Sequence, residues 1–265
     1  MSNPVLAVLV DRIGAVATVT INRPDRRNAL DTATKVALRE ALVEVGADST
    51  VRAVVLTGAG SAFCVGQDLA EHAEALNTDA AKAFDTVDEH YRPIVVALTT
   101  MPKPVVAAVN GACVGAGLGL ALACDLRVFS STAKFGTAFA AIGLTCDSGL
   151  SATLVRAVGQ SRASELVLLG DAFGADQALA WGIGGTIVEP DDVLAQAQQL
   201  AQRLAAGPTQ AYAESKSLLA AAPSSTVGDA LVAESAAQHR LGLTSDHLAA
   251  VTAFLAKEKP TFDGR

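Results

Sequence analysis

Aromatic side chains are scarce in this chain of 265 residues: eight Phe, two Tyr and one Trp, 4% in all. A core must then be built from Ala, Val, Leu and Ile, whose small volumes let helices and sheets approach closely, and the 22 glycines fit the same picture. Charge is thin as well, at 18% of residues against 51% hydrophobic, which excludes a disordered chain and is ample for a buried core. Basic residues are the minority: 20 Lys plus Arg against 27 Asp plus Glu leave a net charge of −7. That argues against a nucleic-acid partner, whose phosphates demand clustered Lys and Arg. It leaves room for a phosphate-bearing small ligand, which needs only a few local cations. Cysteine is limited to Cys64, Cys113, Cys124 and Cys146, with no C-x-x-C pair, so no zinc or thioredoxin-like motif is expected and the chain is no disulfide scaffold. The opening MSNPVLAVLVDR has no basic stretch before its short apolar run, which speaks against a secretory signal and makes a reducing cytoplasm the expected setting.

At roughly 100–200 residues per domain the length allows one large domain or two small ones. Residues 104–124 are apolar for about the length of a bilayer span and hold G-x-x-x-G at Gly115 and Gly119. Asn110-Gly111 near the middle is turn chemistry, and no basic flank follows, so a buried strand, a turn and a buried helix are expected instead of a membrane anchor. Two apolar runs, 5–10 and 15–21, around Asp11-Arg12-Ile13-Gly14 predict a β-hairpin. A helix is predicted over 31–46, with Val36, Leu38, Leu42 and Val45 at helical spacing, Asp31 as N-cap and Gly46 as C′ residue. Strands are predicted at 51–57, 105–109 and 125–130, with helical segments at 68–100 and 115–123 between them. That alternation predicts parallel pairing and an α/β architecture. Beyond 150 the pattern turns helical (151–170, 175–181, 191–206, 208–221, 226–241), with one strand at 184–188. A boundary is placed at 195/196, with a helical appendage after it whose apolar stripe needs a partner surface.

Three stretches carry candidate chemistry. Gly115-x-Gly117-x-Gly119 follows a strand and opens a helix. It is no dinucleotide fingerprint, because the third glycine of G-x-G-x-x-G would fall on Leu120. Its bare backbone N–H groups, backed by the helix dipole, nonetheless make a site for an oxygen gaining negative charge. Ser61-Ala-Phe-Cys-Val-Gly-Gln-Asp-Leu69 also lies between a strand and a helix, and an N–H from each loop can converge on one carbonyl oxygen. Asp147 is a carboxylate in an apolar run. It is either the N-cap of the helix from 150 or a catalytic group, and the sequence leaves both open. The histidines (His72, His90, His239, His247) have no ligand spacing, His72 reads as a solvated helix residue, and no G-x-S-x-G elbow occurs.

Taken in order, Val19-Thr-Ile-Asn-Arg-Pro24, Asn28-Ala-Leu30, Val54-Val-Leu-Thr-Gly58, Phe63-Cys-Val-Gly-Gln-Asp-Leu69, Lys103-Pro-Val-Val-Ala-Ala-Val-Asn-Gly111, Cys124-Asp125, Phe135-Gly136 and Gly170 resemble the crotonase, or enoyl-CoA hydratase/isomerase, superfamily over nearly the whole chain. The resemblance implies an α/β fold, a spiral of ββα turns over 1–195, followed by a helical trimerisation region over 196–265, with trimers pairing into hexamers. It implies an acyl-CoA thioester as substrate, no separate cofactor or metal, and no nucleic-acid or membrane partner. It implies an oxyanion hole from the N–H groups of Gln67 and Ala116. Gly66, Asp68, Leu69, Ala70 and Gly115 are implied to line the acyl–pantetheine channel, and Arg26, Arg27, Ala29 and Lys259 to meet the CoA nucleotide. The family's hydratase pattern places two glutamates where this chain has Gly119 and Phe139. Hydration needs both, to hold and deprotonate water. Asp147 falls where several family isomerases carry an acid, and the Gly-Gln-Asp-Leu and Ile-Gly-Leu-x-x-Asp-x-Gly stretches are similar to the ring-epoxide isomerases of phenylacetyl-CoA degradation and to dienoyl- and enoyl-CoA isomerases. The expectation is therefore an acyl-CoA isomerase with Asp147 as general acid/base. The rivals are a hydratase with relocated acids such as Glu71 or Glu89, and a non-catalytic acyl-CoA-binding member.

Overall fold

The computed structural model describes residues 6–265; Val5, where the first expected strand begins, and the start of the segment weighed as a signal lie outside the described residues. Strands β1 (Val8–Ile13) and β2 (Val16–Ile21) are antiparallel with Ile13 opposite Val16. The reversal is tighter than the four residues expected at 11–14. Pairing continues through Asp11, Arg12 and Ile13, and Gly14, at φ +58°, turns the chain together with Ala15.

Helix α1 (Thr32–Ala47) begins at Asp31, whose carboxylate accepts from the Thr34 N–H at 2.8 Å. It does not stop at Gly46. That glycine lies within the helix, Asp48 is the C-cap, and the Lys103 ammonium donates to the Val45 and Asp48 carbonyls at 3.0 and 2.8 Å. A buried cation thus satisfies the helix end in place of a left-handed glycine. The inner face carries Thr34, Lys35, Leu38, Ala41, Leu42 and Val45, so a threonine and a lysine rather than Val36 begin the buried stripe.

The chain then repeats one unit. A longer strand, a three-residue strand and a helix follow as β3 (Ala53–Gly58), β4 (Ala62–Cys64) and α2 (Leu69–Asp79). After α3 (Arg92–Thr100) come β5 (Val105–Val109), β6 (Ala112–Val114) and α4 (Ala116–Ala123). The third set is β7 (Leu126–Ser130), β8 (Lys134–Gly136) and α5 (Leu150–Leu169), the last broken at Gly159, where φ is +76°. β9 (Phe173–Gly174), α6 (Ala175–Ala180) and β10 (Thr186–Val188) complete the core. The long strands form a six-stranded sheet, β1-β2-β3-β5-β7-β10, parallel from β2 onward. The short ones form a second sheet, β4-β6-β8-β9, in which β9 alone runs antiparallel. Each turn of the chain adds one strand to each sheet, which is the expected spiral.

The strands of the large sheet alternate between two cores. Val54, Leu56, Val105, Ala107 and Val109 face the core under α1, α3, α4 and α5, while Ala53, Val55, Val106 and Ala108 face helix α7 (Val193–Ala205) through its Val193, Ala197, Ala201 and Ala205. Burial on both faces explains why these strands read as unbroken apolar runs. Helix α7 crosses the boundary expected at 195/196 and lies on the sheet. The apolar segment 104–124 resolves into β5, a turn at Asn110-Gly111, β6 and α4, and among the described residues no helix is long and apolar enough to cross a membrane. Beyond α7 come α8 (Thr209–Ala221), α9 (Val227–Leu241) and α10 (Ser245–Ala256), the last unanticipated from the sequence. Their apolar side chains point outward: Leu219, Val232 and Phe254 are 72–80% exposed, and Leu243, in the turn between α9 and α10, is 90% exposed. The tail folds back to the start of β3, where Arg52 donates to the Phe262 carbonyl at 2.9 Å.

Candidate active site

Parallel strands deliver their following loops to one edge of the sheet, so the segments after β2, β3 and β5 meet. Two asparagines tie them together. Asn28, fully buried at φ +58°, donates to the Ala59 and Ala62 carbonyls at 2.9 and 2.7 Å; Asn110 donates to the Gly58 and Gly60 carbonyls at 2.9 and 2.7 Å.

The loop after β4 lies beside Leu30 as a one-residue parallel bridge. Leu30 N–H donates to Gly66 O at 2.8 Å and Asp68 N–H to Leu30 O at 3.1 Å. In extended chain successive N–H groups face opposite edges, so Gln67 N–H points away from this bridge. It has no acceptor among the described residues. The loop after β6 reaches the start of α4 through Gly115, at φ +58° and ψ −124°, whose own N–H is taken by Gly136 O at 2.9 Å. The next N–H, that of Ala116, opens the helix and has no acceptor either. The two loops are in contact. A Cβ on Gly66, at φ +86°, would stand 3.1 Å from Val114 O and 3.3 Å from Ala116 N, and one on Gly117 would lie 2.1 Å from Cys64 O. Only glycine allows this approach. Two unpaired donors on adjoining loops, one at a helix N-terminus, can stabilise an oxygen that gains negative charge.

The third wall is the segment between β8 and α5. It is wound tightly, with Ala138 at φ +60° and Ser148 at φ +51°, conformations in which non-glycine residues are strained. Helix α5 is capped by Gly149 with no side-chain cap bond, so the capping role left open for Asp147 is not taken up. The Asp147 carboxylate accepts from the Ser148 hydroxyl at 2.8 Å. Burial raises its pKa from the ordinary aspartate value, against the pull of Ser148 and of the Lys35 ammonium. A capping carboxylate would shift the other way. Of the apolar neighbours in sequence, Leu150 is buried and Cys146 half-buried, whereas Ile142 and Leu144 are 49% and 37% exposed.

Gly119, on the first turns of α4, faces this segment. A Cβ there would lie 2.7 Å from Ser148 Cβ and 2.9 Å from Ser148 O, so the space a side chain would fill is taken by Ser148. Phe139 is buried, and its ring edge would stand 3.9 Å from a Cβ on Gly115. The carboxylate of Glu71, weighed as a relocated acid, accepts from the Thr32 N–H at 2.9 and 3.1 Å and caps the start of α1; Glu89 is exposed.

The remaining residues divide. Asp68 is buried, caps α2 through Ala70 N–H at 3.1 Å and pairs with Arg23 at 3.0 Å; burial pushes its pKa up, but Arg23 and the α2 amides hold it below the usual value. Leu69 and Ala70 are exposed beside it, and Gly66 and Gly115 are buried. Arg26 and Arg27 are exposed on the turn Pro24–Arg26 and the residue after it, and Ala29 is buried, with its carbonyl held by Arg23. Lys259 is exposed in the tail that returns to the start of β3, at the opposite end of that strand from the loops, so the folded chain does not itself bring it to them. His72 is half-buried, edge-on to Phe84 with ring centroids 5.4 Å apart.

Sequence reasoning missed a buried polar group behind Gln67. The Gln67 side-chain oxygen accepts from the Tyr91 hydroxyl at 2.6 Å and from the Lys35 ammonium at 3.2 Å. Lys35 and Tyr91 are each 1% exposed, and burial lowers the lysine's pKa and raises the tyrosine's. The one available signal was a lysine at helical spacing with Leu38, Leu42 and Val45.

A family model described as enoyl-CoA hydratase/isomerase matches residues 11–265. A 1,2-epoxyphenylacetyl-CoA isomerase of Escherichia coli K12 is 39% identical over 250 residues, 94% of this chain and 95% of the relative. A short-chain-enoyl-CoA hydratase of Clostridium acetobutylicum is 35% identical over 253 residues, 95% of each. A crystal structure from Mycobacterium abscessus, itself assigned only provisionally to the enoyl-CoA hydratases/isomerases, superposes with a TM-score of 0.94 at 51% identity, covering 98% of this chain and all of that one.

Proposed function

Because the chain belongs to the enoyl-CoA hydratase/isomerase (crotonase) family, we propose that it isomerises an acyl-CoA thioester, shifting a double bond or opening a ring epoxide beside the thioester, through an enolate. The thioester oxygen accepts from the Gln67 and Ala116 N–H groups. Asp147, ionised, takes a proton from the acyl carbon; the C–H electron pair becomes the enolate π bond, and the thioester oxygen carries the charge. In a double-bond shift the proton then returns from Asp147 to a different carbon; in an epoxide the enolate electron pair re-forms a C=C bond as the neighbouring C–O bond breaks, and the released alkoxide oxygen takes the proton from Asp147. A carboxylate whose charged form is disfavoured by burial is suited to taking up the proton and then giving it back.

The observation that carries an isomerase over a hydratase is the contact at Gly119. Ser148 occupies the space that a glutamate side chain would need there, at 2.7 Å from the Cβ position, and the same segment supplies Asp147. With Phe139 at the other hydratase position, Glu71 committed to α1 and Asp68 paired with Arg23, no second free carboxylate is at hand among the described residues to hold a water, and a proton shift needs only one. Arg26 and Arg27 offer exposed guanidinium groups to the CoA phosphates beside Ala29. Lys259 reaches that nucleotide only from a neighbouring copy, which the outward apolar faces of α8–α10 favour in a trimer or a pair of trimers. No cofactor beyond the CoA of the substrate is needed for these steps, and a cytoplasmic setting suits a CoA ester. The test is a panel of enoyl-, dienoyl- and arylacetyl-CoA thioesters followed by mass spectrometry. Products of unchanged mass support the proposal. Gain of water identifies a hydratase, and binding without turnover a non-catalytic member; either result overturns it.

A further inference from the structure

The side chain of Gln67 is held in one orientation by a group that has no other choice. Lys35 is buried, and an ammonium can only donate. One of its hydrogens goes to Thr86 Oγ at 2.7 Å; the Thr86 hydroxyl also meets His90 Nδ1 at 3.1 Å. Having accepted from Lys35, that hydroxyl donates to His90, whose pKa is lowered by burial and then by Lys35, as suits an unprotonated nitrogen. The Lys35 ammonium also stands 5.4 Å from the centroid of the Tyr91 ring. The hydrogen that remains points to Gln67, so the Gln67 atom facing it must be the amide oxygen; turned over, the amide would set N–H against N–H. The Tyr91 hydroxyl, which can donate or accept, donates to the same oxygen once Lys35 has set it there.

The Gln67 NH2 group is therefore turned the other way. It has no partner among the described residues. Nor is it among the buried unpartnered side-chain atoms, which are Thr34 Oγ1 and Asn110 Oδ1, so it reaches solvent. It belongs to the residue whose backbone N–H is left unpaired for the thioester oxygen, so the NH2 lies within one side chain's length of the bound acyl group. We propose that Lys35 and Tyr91 are positioning residues that present the Gln67 NH2 to the acyl group, and that the substrates of this protein carry on that group an oxygen able to accept, such as an epoxide, ether or oxo oxygen. An all-hydrocarbon acyl chain would leave the NH2 without a partner once water is expelled, which is how a site built to donate rejects an analogue without the acceptor.

This inference rests on the reading of the site as one for CoA thioesters, and the experiment separates the two. Butyryl-CoA, 3-oxobutyryl-CoA and 4-oxopentanoyl-CoA are titrated calorimetrically into wild type, Gln67→Glu, Tyr91→Phe and Lys35→Met. Wild type is expected to bind at least one oxo ligand about 3–10-fold more tightly than butyryl-CoA, the range of one hydrogen bond. In Gln67→Glu the carboxylate still accepts from Lys35 and Tyr91 but offers an oxygen where the NH2 was, so the preference should reverse. In Lys35→Met it should shrink toward one, because the Tyr91 hydroxyl can accept as well as donate and the amide is then free to turn; in Tyr91→Phe, where Lys35 still requires the oxygen, it should shrink less, and Gln67→Glu serves alone if Lys35→Met does not fold. A merely structural role for these residues would lower affinity for all three ligands together and leave the ratio in place. Binding of none of them by wild type sinks the thioester reading itself. Equal binding of oxo and plain ligands by wild type, or a ratio unmoved in Gln67→Glu, overturns this inference while leaving that reading intact.

Discussion

Gly119→Ala is the smallest change that tests the link between Ser148 and Asp147. The added methyl would sit 2.7 Å from Ser148 Cβ and 2.9 Å from Ser148 O, against about 3.5–4.0 Å for an ordinary carbon contact. One side must give by roughly 1 Å. Helix α4 is the firmer wall, since a Cβ on Gly117 would lie 2.1 Å from Cys64 O and the helix is buried along nearly its whole length. The segment at 147–149 therefore moves, and the Asp147 carboxylate with it. A misplacement of about 1 Å in a reacting group costs on the order of 100-fold in rate, and overpacking costs about 1–3 kcal/mol of stability. We expect kcat on whichever thioester the wild type isomerises to fall about 100-fold, KM to change far less, and the urea midpoint to drop. Ser148→Gly removes the closer of the two contacts and suits a backbone at φ +51°. Added to Gly119→Ala, it should restore part of both losses, with a coupling of about 0.5–3 kcal/mol in stability. Gly119→Glu should not create a hydratase. A Gly119→Ala protein with wild-type kcat and midpoint would refute the reasoning, because the space would then not be contested.

Ala116→Pro removes one unpaired N–H at the first position of α4, where proline is tolerated, so the protein should fold and lose about 100–1,000-fold in kcat; undiminished turnover would take Ala116 out of the oxyanion site. Asp147→Asn keeps an acceptor for the Ser148 hydroxyl and should still bind CoA thioesters while turnover and solvent deuterium exchange into the substrate fall about 10²–10⁴-fold. A raised pKa means that the folded protein holds this proton more tightly than the unfolded chain, so the contribution of Asp147 to stability declines as pH rises from the ordinary carboxylate value through the raised one. Urea titrations across that window should show Asp147→Asn gaining on wild type with rising pH, and a gain with falling pH instead would mark a stabilised carboxylate. Sedimentation at micromolar concentration should give an oligomer, because Leu219, Val232 and Phe254 on α8–α10 and Leu243 in the turn before α10 are left exposed, and a monomer would contradict it.

What the sequence made legible follows from the length of each signal. The strands at 53–58 and 105–109 are buried on both faces, the strand at 126–130 is buried from Val128 onward, and all three read as apolar runs, so their alternation with helices announced the parallel sheet. The second sheet was invisible except through family resemblance, because its strands are two or three residues long and lie inside glycine-rich loops. Helix α1 was found, but its stop was misplaced at Gly46: the residue that ends it, Lys103, is 55 positions beyond the Asp48 carbonyl it binds. The two donor loops were recognisable from their glycines, since a bare amide at a helix start is a local property. The orientation of Gln67 was not, because it depends on Lys35 and Tyr91, which lie 32 and 24 residues away. A single lysine in a helical stripe carries no message until the partner it faces is known.

The contested position at Gly119 also bears on how one scaffold serves two reactions. Hydration must hold a water, so it needs two carboxylates with room between them; a proton shift needs one carboxylate and an environment that keeps water away. In this chain the room is closed from one side by Ser148 and from the other by Phe139, whose ring approaches the Gly115 turn. Closing it has a conformational cost. Ala138 and Ser148 both take positive φ angles, at a typical cost of 1–3 kcal/mol each, and the segment is held by the Thr137 hydroxyl on the Leu166 carbonyl at 2.9 Å. The strain sits at the two ends of the segment that supplies Asp147, next to the carboxylate at one end and next to Phe139 at the other. The two N–H donors lie on loops bound to the sheets, while the acid lies on a strained connection that packs against a glycine. On the proposed reading, the choice between reactions therefore rests with the connection and with residue 119, and the oxygen-stabilising half of the site is left unchanged.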